Sequence, residues 1–197
     1  MGSGLTKFIM HRQNALVAEL EGFDGVELDV RSRQGVLFVG HDSVSATVPF
    51  LDYLAETSVR LLAVNAKEEG LIDPIRETMS YFDKEYFIFG CSVPELVPHA
   101  MNGSASDLAW RVSDLEDPVE SDWLSNFGWV WLDYFGVSEL PLGQLRRISD
   151  LDTRIVLASP ELHPNSYSSV DGLRALLRNS GVTVDMVCTK QIALWEN

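Results

Sequence analysis

Four short stretches hold residues whose types could act together: His11-Arg12, Glu27-Leu28-Asp29, His41-Asp42 and Asn65-Ala66-Lys67. Glu27 and Asp29 stand two apart in the apolar run GVELDV, so on a strand they point to one side. Two carboxylates buried on the same side repel each other and need a proton or a cation to offset that repulsion. A hard divalent metal bound through oxygen supplies the cation. Histidines flanking such an ion can share proton duties near neutral pH. Each piece has an ordinary explanation as well: Glu-x-Asp as the solvated face of a half-exposed strand, a strand-end histidine as a hydrogen-bonded structural residue. Their recurrence at successive strand ends favours a metal site with acid-base histidines.

Composition narrows the classes. The chain has 197 residues, enough for one well-filled core, and a single domain over residues 1–197 is expected. A formal net charge of -14 repels nucleic-acid phosphates and anionic membrane surfaces, so neither is an expected partner. A small anionic substrate would need a local cation or metal. Cys91 and Cys188 are too few for a disulfide framework or a zinc cluster. No stretch approaches the eighteen apolar residues of a membrane span, and a reducing compartment such as the cytoplasm is the expectation.

The elements that must position these residues follow a regular rhythm. Short apolar runs occur at FIMHR (8–12), GVELDVR (25–31), VRLLAVNAK (59–67), YFIFGCS (86–92), LAWRVSD (108–114), GWVWLDYF (128–135), TRIVLASP (153–160) and VDMVCTK (184–190). Most are apolar on both faces, as strands covered by helices should be. Helical spacing lies between them, clearest in VPFLDYLAET, GLIDPIRETMSYFD and SVDGLRALLRNSG, the last with Ser169 as N-cap and Gly181 as C-cap. Weaker helical candidates are NALVAELEGF, VPELVPHAM, DPVESDWLSNF and PLGQLRRISDLD, and GVLFVGHD reads as an added strand or hairpin. Eight strands alternating with about seven helices predict an α/β fold, a compact (β/α)8 TIM barrel with its site at the C-terminal strand ends. An open doubly wound sheet lacks the glycine-rich phosphate loop after its first strand.

In such a barrel Arg111, Ser113, Asp133, Glu161, His163 and Lys190 would gather at the same rim as the first four stretches. Glu161 and His163 belong to a long loop suited to selecting a leaving group. Trp110, Trp129 and Trp131 read as core packing before they read as a stacking platform, and Cys188 as buried packing.

The run H-R … G-V-E-L-D-V … H-D resembles the signature of the glycerophosphodiester phosphodiesterases, within the phospholipase C-like phosphodiesterase barrels. The resemblance is specific over residues 8–42 and extends through LLAVNAK; H-R-x-N, N-x-K-x-E-G and a terminal CTK…LW make it closer to short bacterial members, with a sugar-linked substrate as one implication. It implies that Glu27 and Asp29 ligate Mg²⁺ or Ca²⁺, that His11 and His41 form the acid-base pair, and that Arg12 and Lys67 contact phosphate. Two positions depart from the pattern. Asn65 stands where the family commonly has a third acidic ligand; its amide oxygen can ligate the ion but adds no charge. QNALVAEL replaces the family's Pro-Glu-Asn segment, which leaves its substrate contacts unassigned.

The leading expectation is therefore metal-dependent hydrolysis of a small glycerol- or sugar-linked phosphodiester by His/His acid-base catalysis. The alternative is a catalytically weak or inactive barrel that binds phosphate or sugar phosphate. A metal-assisted lyase or sugar-phosphate isomerase using the same acids is a third possibility, which two histidines set apart along the chain disfavour.

Overall fold

A computed structural model describes residues 7–16, 20–163 and 169–196. Among these residues ten strands and six α-helices form a mixed α/β sheet. The strands are β1 (Lys7–Met10), β2 (Gly25–Arg33), β3 (Val36–Val39), β4 (Val48–Pro49), β5 (Leu61–Ala66), β6 (Glu85–Phe89), β7 (Ala109–Ser113), β8 (Trp129–Asp133), β9 (Arg154–Ala158) and β10 (Met186–Thr189). The helices are α1 (Phe50–Glu56), α2 (Ile72–Met79), α3 (Val93–Met101), α4 (Ser121–Leu124), α5 (Leu142–Ser149) and α6 (Val170–Ser180). Each of the eight expected apolar runs is a strand. GVLFVGHD contributes β3, which turns back antiparallel on β2 from Val30–Val39 to Arg33–Val36.

Eight strands run parallel in the order β6-β5-β2-β1-β10-β9-β8-β7. The two ends of this path, β6 and β7, meet through one parallel bridge between Ile88 and Leu108, where the Ile88 N–H donates to Asp107 O at 2.8 Å. The side-chain period of two then divides the core. Ile9, Leu61, Ala63, Phe87, Phe89, Ala109, Trp129, Trp131, Val156, Ala158, Met186 and Cys188 form one apolar cluster drawn from seven of the parallel strands. The opposite phase, such as Val26, Leu28, Val30, Leu62, Val64 and Ile88, packs with α1, α2 and α3, while Val130, Leu132, Ile155 and Leu157 pack with α5 and α6. Polar residues enter the first phase at its C-terminal end: Asn65 follows Ala63, Asp133 follows Trp131, and Lys190 follows Cys188.

Helix termini follow local chemistry where it is strong. Ser169 Oγ accepts from the Gly172 N–H at 3.1 Å, and Gly181 closes α6 in the left-handed region at φ 69°. Two helical expectations need correction. The described residues of NALVAELEGF form no helix, and residues 17–19 lie outside the description. The chain entering this segment is committed to other elements: the Gln13 N–H donates to Glu27 O at 2.7 Å, Tyr53 Oη donates to Gln13 O at 3.1 Å, and the Asn14 side chain binds Asp29. DPVESDWLSNF contracts to the single turn of α4, because Asn126 and Phe127 bond back three residues to Trp123 and Leu124, tightening the chain into a turn.

Candidate active site

β2 brings Glu27 and Asp29 to the cavity side with 1% and 0% exposure. Burying both acids is tolerable only because their oxygens are answered. The Arg12 N–H donates to Glu27 Oε2 at 2.7 Å, a bond that Arg12 reaches by adopting φ 54° just after β1. Asn14 grips Asp29 twice: its Nδ2 donates to Oδ2 at 2.8 Å, and its Oδ1 accepts the Asp29 N–H at 2.9 Å. Asn65, beside Asp29 in the β2–β5 ladder, donates from Nδ2 to Glu27 Oε1 at 3.3 Å and Asp29 Oδ1 at 3.1 Å. Gly90, at φ 83° after β6, leaves the room that this amide needs; a Cβ there would overlap Asn65 Oδ1 and come within 2.9 Å of Ala66 O.

The cations are close by. Lys67 Nζ lies 3.2 Å from Asp29 Oδ1, and Arg12 Nε lies 3.7 Å from Asp29 Oδ2. His11 Nε2 lies 3.7 Å from Glu27 Oε2, while its Nδ1 is shielded from solvent and makes no hydrogen bond. Burial pushes Glu27 up to about 7, with Asp29 adding repulsion and the Arg12 N–H and Asn65 amide opposing the rise. Burial, together with the Arg12 and Lys190 charges, lowers His11 to about 4, so this ring is neutral at pH 7.

Of the expected site residues, the structure brings His11, Arg12, Glu27, Asn65 and Lys67 to one cavity of about 930 Å³, with Asp29 buried beneath its wall. His41 is placed differently. Gly40 N–H donates to Asp29 O at 2.9 Å, so the His41 backbone is tethered near the acids, but its side chain is exposed and absent from the cavity wall. A second histidine does reach the cavity: His163, with Nε2 3.4 Å from Asp133 Oδ1.

Trp131 stacks on Phe89 at 3.8 Å, so the ring packs within the core as well as lining the cavity. Trp129 is fully buried and stacks on Phe87 at 4.3 Å, and Trp110 packs edge-on against Trp123 at 6.1 Å. Arg111 is held by Glu116 in a fork, Nε to Oε1 at 3.0 Å and to Oε2 at 3.1 Å, Nη2 to Oε1 at 2.7 Å. Glu161 acts as a local hub instead of facing outward: Ser159 and Thr189 hydroxyls and the Lys190 N–H all donate to it. Sequence reasoning singled out neither Asn14 nor Gly90 as a site residue. The signal for Asn14 is a short amide three residues past the strand-end histidine; that for Gly90 is a glycine closing an apolar strand.

The donor set suits a hard cation. Glu27 Oε1 and Asp29 Oδ1 converge on the Asn65 amide, whose oxygen is a competent ligand for Mg²⁺ or Ca²⁺ once the amide turns over. Lys67 holds part of that position now, and no group of three or more His, Cys, Asp or Glu side chains is gathered for a metal among the described residues.

No protein-family model matches the chain, and no curated protein matches its sequence. Solved structures do match. One is assigned as a glycerophosphoryl diester phosphodiesterase from Agrobacterium tumefaciens strain C58; the likeness covers 95% of this chain and 94% of that one, with a TM-score of 0.56 at 9% identity. Another, a glycerophosphodiester phosphodiesterase from the same strain, is matched over 97% of both chains with a TM-score of 0.56 at 15% identity. Over nearly its whole length, the chain has the fold of these glycerophosphodiester phosphodiesterases.

Proposed function

We propose that this chain is a metal-dependent phosphodiesterase built on a closed (β/α)8 barrel, acting on a small organic phosphodiester. The observation that carries this reading is the convergence of two buried carboxylates, one amide, one neutral histidine and two cationic side chains at one end of a roomy cavity. Glu27, Asp29 and Asn65 would hold Mg²⁺ or Ca²⁺. The chemistry that such an ion supplies when bound is neutralisation of charge growing on a phosphoryl oxygen and acidification of a nearby hydroxyl.

The chain's own residues do the remainder. Arg12 and Lys67 present positive charge where a phosphate would sit, although both also face Asp29. His11, neutral at pH 7 and with one ring nitrogen unpartnered, is able to accept the proton of an attacking water or hydroxyl. Asn14 and the Arg12 N–H keep the carboxylates aimed without adding charge.

The first test is hydrolysis of a chromogenic phosphodiester with Mg²⁺, Mn²⁺, Ca²⁺ or chelator, alongside His11→Ala, Glu27→Ala and Asp29→Ala. Turnover that needs a divalent metal and disappears in His11→Ala is the expected result. Calorimetry should show metal binding lost in both acid variants. A His11→Ala protein with undiminished turnover contradicts this mechanism.

One observation favours a second reading, a barrel that binds phosphate without efficient chemistry: Lys67 and Asn65 already answer the acids from within the chain. Saturable phosphate binding, with no turnover under any divalent metal, would select it.

A further inference from the structure

At the β8–β9 side of the cavity stands a histidine–carboxylate pair, His163 and Asp133. Asp133 ends β8, four strands along the path from β2, and the backbone places His163 just after the short 3₁₀ turn Pro160–Leu162 that follows β9. His163 Nε2 lies 3.4 Å from Asp133 Oδ1, is closed off from solvent and makes no hydrogen bond. Asp133 is held in turn by Trp131 Nε1 at 3.2 Å. The His163 ring packs against Phe135 with centroids 4.6 Å apart, and its backbone N–H donates to Pro160 O at 3.0 Å. His163 and His11 line the same cavity.

We infer that His163, oriented by Asp133, donates the proton that the departing alcohol oxygen needs. This deepens the phosphodiesterase reading and rests on it. A carboxylate on one ring nitrogen fixes the imidazole plane and directs the other nitrogen to a reactant, the arrangement that enzymes use repeatedly for proton transfer. Neighbouring donors are engaged elsewhere: Arg111 in its fork with Glu116, and the Ser113 hydroxyl with Glu116 Oε2 at 2.8 Å. The exposed side chain of His41 lies off the cavity wall, whereas His163 is on it.

The step balances without any further reagent. The nucleophilic oxygen forms a new P–O bond as the P–O bond to the alcohol breaks. That bond's electron pair goes to the alcohol oxygen, which takes the proton from the His163 imidazolium and leaves as neutral alcohol. His11 receives the proton that the nucleophile loses, and exchange with solvent resets both rings. One water is consumed, and one alcohol and one phosphomonoester are released.

The test compares two diesters that share a phosphoryl half: one with a nitrophenolate leaving group, which departs without a proton, and one with a simple alkyl alcohol. His163→Ala should lose about a hundredfold or more in kcat on the alkyl ester and less than about tenfold on the nitrophenyl ester. Asp133→Asn should show the same selectivity to a smaller degree, as a positioning residue would. His163→Gln serves as the second variant, and circular dichroism checks that each variant is folded. Equal losses on both esters, or leaving-group selectivity in His41→Ala and not in His163→Ala, overturn the inference. A wild type silent on both esters with every divalent metal overturns the phosphodiesterase reading and this inference with it.

Discussion

Glu27 and His11 are displaced in opposite directions by the same burial, and their contributions to stability therefore have opposite signs. Glu27 rises from 4.5 to about 7, so between those values the folded chain holds a proton that the unfolded chain has released, and stability falls as pH rises. His11 drops from 6.5 to about 4, so the unfolded chain holds the extra proton there and stability rises with pH. From 4.5 to 6.5 the two oppose each other. In chelator, Glu27→Gln should unmask the rise, and His11→Gln should unmask a fall that continues to about pH 7. Urea midpoints across this range check it; slopes of the same sign in both variants contradict the assignment. A second residue-level prediction concerns Gly90→Ala. The added methyl meets Asn65 Oδ1 and Ala66 O on a backbone at φ 83°, which should cost about 1–3 kcal/mol and lower Tm by several degrees. Affinity at the proposed metal site should weaken too, because Asn65 is the group displaced.

At the scale of elements, the loops after β7 and β8 are tied together by one carboxylate. Asp114 accepts from the N–H groups of Phe135, Val137 and Ser138 at 2.9, 2.8 and 3.0 Å. Charge-assisted bonds of this kind are stronger than neutral ones, and their loss leaves three backbone donors to find water. Asp114→Ala should cost about 2 kcal/mol, with faster hydrogen exchange at residues 135, 137 and 138. Because Phe135 supports the His163 ring, the same variant should loosen that side of the cavity while leaving the proposed metal site on β2 intact. Unchanged exchange at those three amides would show that the loop has its own support. NALVAELEGF shows helical spacing, yet at its start Asn14, with Gln13 and the Arg12 N–H just before it, is bonded to β2 instead of opening a helix.

For the molecule as a whole, the parallel path is thinnest where its two ends meet. β2 and β5 pair over five residues, whereas β6 and β7 meet at the single Ile88–Leu108 bridge. Local opening should begin at that seam, since few backbone bonds must break there. The Ile88 amide is therefore expected to exchange faster than the amides of the β2–β5 ladder, in native-state hydrogen exchange followed by NMR. Equal protection at both places would mean that the sheet opens only as a unit. No helix among the described residues is long and apolar enough to cross a membrane. Within a chain of net charge -14, Arg12 and Lys67 set positive charge beside Asp29 at the C-terminal ends of the strands.

Much of the protein is decided by local pattern. Apolar runs of strand length, alternating with helical spacing, located all eight parallel strands, and Ser169 and Gly181 marked the ends of α6, because burial periodicity and capping are short-range properties of the chain. Glu27-x-Asp29 announced a paired-acid site for the same reason: spacing of two sets a common face whatever the strand packs against. Which groups then answer those acids was a tertiary outcome. Asn14 closing on Asp29, Asn65 bridging both carboxylates, and Gly90 making room for it depend on four strands, β1, β2, β5 and β6, lying side by side. The two histidines were separated in the same way. His41 follows Asp29 closely in sequence but is carried out to solvent by the β2–β3 hairpin, while His163, more than a hundred residues downstream, is returned to the cavity because β9 runs parallel within the same sheet. Distance along the chain says little about proximity across a parallel sheet, since every crossover brings strand ends from remote segments to one edge.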